Sequence, residues 1–115
     1  MAAMTTTLTE FSDKENSRTY VIDGASHTAE KPRMVLQQRK VPSANQSIIE
    51  DEVTVLYGTV DADGNVLDSR VLLSAKVRRP KEGAAADMTA ALVKFRDIVA
   101  GDEFTAVTTG SYYLS

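Results

Sequence analysis

The chain has 115 residues, which suits a single domain, and its 43% hydrophobic and 25% charged residues are ordinary proportions for a globular protein. It has no cysteine, which excludes a disulfide scaffold, a cysteine nucleophile and a cysteine-ligated metal site. The N-terminal residues lack the pattern of a signal peptide, and no apolar run approaches the roughly 18–20 residues of a membrane helix. We therefore expect one domain, residues 1–115, in an aqueous, cytosol-like setting.

The first part of the chain predicts three strands. Two of them, separated by a polar turn, form an N-terminal β-hairpin at residues 6–22. The third spans residues 33–40 and has Met34 and Leu36 on one face, since side chains alternate along a strand. A loop is predicted to follow at residues 41–46.

Two further strands, at residues 53–60 and 66–77, complete the predicted sheet, whose main part spans residues 33–78. The acidic turn between them contains Asp-Gly, which is a strong hairpin signal. This turn consists of Asp61, Ala62, Asp63, Gly64 and Asn65.

The last part of the chain predicts a helical C-terminus at residues 87–109. Apolar residues recur at helical spacing over 88–100, with Asp87 as the N-cap and Gly101 as a left-handed stop. A second, shorter helix is expected at 103–108. Strands followed by helices favour an α+β fold: an N-terminal β-hairpin and an antiparallel five-stranded meander sheet, then one or two C-terminal helices.

Basic residues are concentrated in two segments although the formal net charge is -3. Residues 31–40 and 70–81 hold nine of the thirteen basic residues and no acid. Two interpretations stay open: long basic side chains that merely solvate exposed strands, or a basic patch that binds phosphates. We favour the second, because the strand at 66–77 separates into an apolar face and a mostly basic one. Its basic face carries Arg70, Leu72, Ser74, Lys76 and Arg78.

The predicted sheet is too wide for one helix to cover. Five strands at about 4.8 Å spacing span roughly 20 Å, whereas a helix is about 10 Å across. A large apolar patch would stay exposed, which soluble monomers rarely tolerate. We therefore predict a two-fold dimer, with strands paired edge to edge and a second helix from the partner. The apolar face is predicted to contain Met34, Leu36, Val53, Val55, Tyr57, Val71, Leu73, Ala75 and Val77.

Residues suited to catalysis or metal binding are scarce. His27 is the only histidine, and we interpret it as a surface residue. Asp61, Asp63 and Asn65 resemble the start of a calcium loop, but Leu72 stands where such a loop needs its acidic twelfth residue. We therefore predict no catalytic residue, no metal site and no cofactor, and a protein that is not an enzyme.

The order of elements resembles the coat proteins of single-stranded RNA bacteriophages, the levivirus-like capsid family, over nearly the whole chain. The resemblance is carried by the hairpin at 6–22, the strand within Lys31-Pro32-Arg33-Met34-Val35-Leu36-Gln37-Gln38-Arg39-Lys40-Val41-Pro42, the hairpin at 53–77, the helix at 88–100 and the ending Gly110-Ser111-Tyr112-Tyr113.

This resemblance implies an interlocked homodimer with a continuous sheet facing RNA and helices on the outer side. Many dimers would close into an icosahedral shell around the genome, assembled in the cytoplasm of a bacterial host and found in the virion. The loop Asp61–Asn65 would contact neighbouring dimers. The inner sheet face would bind an RNA hairpin, repress replicase translation and mark the genome for packaging. Its RNA-binding residues would be Arg33, Val35, Gln37, Arg39, Thr54, Ser74, Lys76 and Arg78.

Two other functions remain as alternatives. A dimeric RNA-binding translational regulator would use the same sheet without forming a shell. A small enzyme would need a concave site, for which the sequence offers no candidate residues.

Overall fold

The structure, a computed structural model, describes residues 3–40, 48–110 and 113–114. The predicted loop at 41–46 and Tyr112 lie outside the described residues. The chain divides into two compact units: Ala2–Lys81 contains the strands and Glu82–Ser115 contains the helices.

The first unit is a five-stranded antiparallel sheet in the order β1-β2-β3-β4-β5. The strands are β1 (Leu8–Lys14), β2 (Ser17–Ile22), β3 (Arg33–Lys40), β4 (Ile48–Tyr57) and β5 (Val71–Pro80). Every strand pairs only with its neighbours in sequence, so the predicted meander and the α+β class are confirmed.

Three strands differ from the predicted boundaries. β4 spans Ile48–Tyr57 instead of 53–60, because its pairing with β5 runs from Ile48 to Tyr57. β1 continues to Lys14, because its pairing with β2 extends to Ser17 around a two-residue turn. β5 begins at Val71 instead of Val66, since Val66 makes only an isolated bridge to Val60. Pro80 can end β5 because this strand lies at the edge of the sheet, where a missing N–H costs no ladder bond.

The second unit consists of α1 (Ala85–Ala100) and α2 (Asp102–Thr109). The predicted N-cap Asp87 lies in the first turn of α1, and Ala84 occupies the cap position without a side-chain hydrogen bond. Asp87 still faces the positive end of the helix dipole. Gly101 is extended (φ -78°, ψ 156°) and not left-handed, because it is also the N-cap of α2, a position that favours extended backbone.

Neither helix in the described part of the chain is long and apolar enough to cross a membrane.

Very little of the described chain is buried. Among residues 3–40, 48–110 and 113–114, only Pro32 and Gly58 are buried. No large hydrophobic side chain in these ranges is buried. Leu73 in the sheet is 53% exposed and Phe95 in α1 is 48% exposed. The described residues of one chain therefore lack the hydrophobic core that normally stabilises a domain of this size.

Candidate nucleic-acid interface

The register of the sheet assigns each side chain to one of two faces. Paired residues on adjacent antiparallel strands share a face, as do alternate residues along a strand. What we call the apolar face contains Leu8, Tyr20, Ile22, Val35, Ile49, Val53, Val55, Tyr57, Val71, Leu73, Ala75 and Val77, together with the polar residues Glu10, Arg18, Arg33, Gln37, Arg39, Asp51 and Arg79. What we call the polar face comprises Met34, Leu36, Gln38, Lys40, Glu50, Glu52, Thr54, Leu56, Leu72, Ser74, Lys76 and Arg78.

The eight residues predicted to bind RNA do not share one face. The four from β3 lie on the apolar face, whereas the four from β4 and β5 lie on the polar face. Placing them together was wrong, because Val35 pairs with Val55 and Leu36 pairs with Thr54. Met34 and Leu36, predicted for the apolar face, lie on the polar face for the same reason. The β3 residues are Arg33, Val35, Gln37 and Arg39; the others are Thr54, Ser74, Lys76 and Arg78.

The two β3 arginines have partners on the apolar face. The guanidinium of Arg33 stacks over the ring of Tyr57, 3.5 Å from its centroid. The backbone N–H of Arg33 donates to Nδ1 of His27 at 3.0 Å, which gives this half-buried histidine a structural role. Arg39 donates to both carboxylate oxygens of Asp51, at 2.6 and 3.2 Å, a hydrogen bond that raises the pKa of Arg39.

A cluster of ion pairs centred on Glu50 occupies the polar face. Its carboxylate lies 3.5 Å from Nζ of Lys40, 3.6 Å from Nζ of Lys76 and 3.7 Å from Nε of Arg78. Glu52 lies 3.7 Å from the same Lys76 ammonium. The Glu50 side chain is only 18% exposed, whereas that of Lys40 is 70% exposed. The acid is therefore recessed beneath basic groups that remain open to solvent.

The ionisation of Glu50 reflects these neighbours. Burial acts to raise the pKa of its carboxyl, but attraction to Lys76, Lys40 and Arg78 outweighs burial, and the pKa lies below its usual value. Glu50 is therefore charged at neutral pH and offsets part of the positive charge around it.

The character of the polar face changes along the strands. Leu56 and Leu72 pair at one end and make that end apolar. In the middle, the hydroxyls of Thr54 and Ser74 form a hydrogen bond at 2.9 Å across β4 and β5. Beyond them come the charged rows of the Glu50 cluster. One surface thus has an apolar end, then hydroxyl groups, then cations, and the hydroxyl groups and cations can contact unpaired bases and phosphates.

The turn that connects β4 to β5 is held by the carboxylate of Asp61. This carboxylate accepts the backbone N–H groups of Asp63 and Asn65, both at 2.9 Å. Its pKa is lowered, chiefly by the bond from Asn65, with burial opposing and the bond from Asp63 adding to the effect. Gly64 is left-handed, with φ of 86°, and the predicted tight turn is confirmed. A contact of Asp61, Ala62, Asp63, Gly64 and Asn65 with another dimer stays a prediction.

Sequence reasoning missed four residues of the polar face: Gln38, Lys40, Glu50 and Glu52. Charge complementarity could have identified the acids, because two acids of β4 lie opposite two basic residues of β5 at paired positions. Glu50 pairs with Arg78, and Glu52 pairs with Lys76.

No cluster of metal-binding side chains is present within residues 3–40, 48–110 and 113–114.

No protein-family model and no curated protein matches the sequence. Solved structures do match. A virus-like particle of Beihai levi-like virus 21 has a TM-score of 0.75 at 12% identity, covering 90% of this chain and 83% of that one. A virus-like particle of bacteriophage GQ-907 has a TM-score of 0.73 at 12% identity, covering 95% and 84%. The coat protein of bacteriophage EMS014 has a TM-score of 0.67 at 14% identity, covering 96% and 80%.

These matches extend over the sheet and the helices alike, while the low identities limit them to the fold. The resemblance drawn from the sequence is confirmed at that level, and the chain has the fold of the coat proteins of levi-like viruses and bacteriophages.

Proposed function

We propose that the chain is the structural subunit of a phage capsid, which forms dimers, assembles into an icosahedral shell and binds viral RNA on the polar face. The observation that carries this proposal is the match of fold, over 90% of the chain, to a virus-like particle. The neighbours named above are coat proteins and virus-like particles, and an enzymatic role is not part of the proposal.

The exposed apolar surfaces support a dimer. Val53, Val71 and Leu73 of the apolar face are all at least 42% exposed, and Phe95 and Ile98 of α1 are both 48% exposed. Burying such surface releases about 25 cal/mol per Å². A partner that covers the apolar face with its helices would give each chain the core that its described residues lack. We propose that the two subunits interlock in this way.

The edge of the sheet supports the same dimer. β5 pairs with β4 on one side only, and it is ten residues long. A long edge strand with free N–H and C=O groups readily pairs with another strand. Pairing of β5 with its two-fold copy would join two sheets into one and extend the polar face across both subunits.

The groups of the polar face support RNA binding. Lys40, Lys76 and Arg78 are exposed cations that can neutralise phosphates, and binding would then weaken as salt rises. Thr54 and Ser74 are candidates for contacts with unpaired bases. The proposed RNA-binding residues do not include the four from β3, because these lie on the apolar face: Arg33, Val35, Gln37 and Arg39. The preferred RNA would be a genomic hairpin whose binding represses replicase translation in the host cytoplasm.

Electron microscopy of the chain expressed alone in bacteria tests the capsid proposal. We expect round particles whose absorbance at 260 nm exceeds that at 280 nm, because nucleic acid is enclosed. Dimers that bind RNA but form no particles would instead indicate the translational regulator. A monomer without RNA would contradict the proposal as a whole.

A charge-removing pair of variants tests which surface binds RNA. Lys40→Gln should lower the slope of log affinity against log salt concentration by about 1, because one phosphate contact is lost. Lys94→Gln, which removes the same charge from α1, serves as the control. An equal effect of both variants would show that total charge matters and that the polar face does not.

A further inference from the structure

A small cavity on the polar face has an unusual lining. It holds about 140 Å³ and lies among charged and amide side chains of three adjacent strands. Its lining combines hydrogen-bond donors and acceptors in close proximity. The lining residues are Gln38, Lys40, Glu50, Glu52 and Lys76.

The two carboxylates make this cavity unsuitable for a phosphate. Glu50 and Glu52 line it and repel a phosphate at short range, and they offset the charges of Lys40 and Lys76 in the same lining, so no net positive charge is left to hold a phosphate. Carboxylates accept hydrogen bonds from N–H and O–H groups; in a ribonucleotide the sugar supplies one O–H donor, the 2′-OH, whereas a base edge can supply several N–H donors side by side. The cavity therefore favours the edge of a base, whereas Lys40, which lines it but is 70% exposed, and Arg78, outside the lining, suit the flanking phosphates.

The order of groups across the cavity selects among bases. Gln38 pairs with Glu52 and Glu52 with Lys76, so the three side chains form one row across β3, β4 and β5. The row can present an amide oxygen, a carboxylate and an ammonium donor in that order, because the Gln38 amide can turn its oxygen toward a ligand. The Watson–Crick edge of guanine presents the complement: the N2 amino group, N1–H and the O6 acceptor. Adenine, cytosine and uracil each lack two adjacent N–H donors on this edge.

The groups of this row are still available to a ligand. Lys76 lies 3.6 Å from Glu50 and 3.7 Å from Glu52, longer than the 2.7–3.2 Å of a direct N–H···O bond. Its ammonium protons and the Glu52 oxygens can therefore turn toward a base without losing a short hydrogen bond. The Glu52 side chain is 36% exposed, twice as open as that of Glu50.

We propose that this cavity recognises an unpaired guanine of the bound RNA, with Glu52 accepting from N1–H and N2–H, Gln38 accepting from the N2 amino group, and Lys76 donating to O6. This inference rests on the proposed RNA binding and adds the identity of the base that the polar face reads.

Short RNAs that differ at one base test the inference. The full-length chain is studied under solution conditions in which light scattering detects no particles. Fluorescence anisotropy then measures its binding to oligouridines of about 12 nucleotides that carry guanine, adenine, cytosine or uracil at the central position. We expect the guanine RNA to bind on the order of tenfold more tightly than the others. Inosine, which lacks the N2 amino group, should bind between guanine and adenine.

A matched pair of variants assigns the preference to the cavity. Glu52→Gln should abolish the preference for guanine while uridine RNA still binds, and Glu82→Gln, outside the sheet, should preserve the preference. Equal binding of all four RNAs to the unmodified chain would overturn the guanine site and leave the RNA-binding proposal standing. Binding of none of them would overturn both. A preference that survives Glu52→Gln would also overturn the assignment.

Discussion

A Cβ atom on Gly58 would lie 2.6 Å from the Cα of Lys31. Gly58 follows β4 directly, is buried, and donates its N–H to the carbonyl of Pro32 at 2.8 Å. The close approach of two backbones here requires glycine because no flexible side chain can move aside. The start of β3 and the end of β4 are joined at this point.

We expect Gly58→Ala to lower the free energy of unfolding by roughly 1–3 kcal/mol, as overpacking at a tight site does. Denaturant unfolding at fixed protein concentration measures the change. Gly110→Ala is the control, because nothing lies within 4 Å of a Cβ at that glycine. Equal stability of the two variants would contradict the crowding at Gly58.

The stacking of Arg33 on Tyr57 should contribute measurable stability. We expect a coupling free energy of about 0.5–2 kcal/mol, typical of a cation over an aromatic face. A double-mutant cycle with Arg33→Met and Tyr57→Leu isolates this contribution from other effects of each substitution. Additive effects of the two substitutions would show that the stacking contributes nothing.

The Asp61 turn should respond to acid. Because the pKa of Asp61 is lowered in the folded chain, its ionised form stabilises the turn above the ordinary pKa of about 3.9, and this contribution is lost as the pH falls through the lowered value. We expect Asp61→Asn to lower the Tm at pH 7, with a difference that shrinks below about pH 4. Asp63→Asn is the control: it keeps the backbone N–H that bonds to Asp61 and should change the Tm little. A difference independent of pH would contradict the role of the charge.

Glu50 should limit the affinity of the polar face for RNA backbone. Its carboxylate lies within 3.5–3.7 Å of three cations, so Glu50→Gln frees positive charge for phosphates. We expect tighter binding of oligouridine and a steeper decline of binding with salt, measured by anisotropy at several salt concentrations. Glu103→Gln in α2 is the charge-matched control. Weaker binding after Glu50→Gln would show that the acid organises the cations and does not compete with phosphate.

The sequence predicted the faces of β4 and β5 correctly but placed β3 in the wrong phase. The turn at Asp61–Asn65 links β4 to β5. The alternation of side chains along these two strands places Val55 beside Leu73 and Thr54 beside Ser74, as observed. β3 has apolar residues on both faces, so alternation alone could not decide between Met34 and Val35. A one-residue change in register moves every side chain to the opposite face. The candidate RNA-binding surface depended on that single choice.

Pro32 and Gly58 are the only buried residues in the described ranges, and this has a consequence for how the protein accumulates. A chain that buries so little surface retains little free energy of folding by itself. When association supplies the missing burial, the folded population follows mass action and rises with concentration. Newly made chains would then be vulnerable to proteases until enough of them are present to associate, so that degradation removes subunits made in excess of what assembly can use.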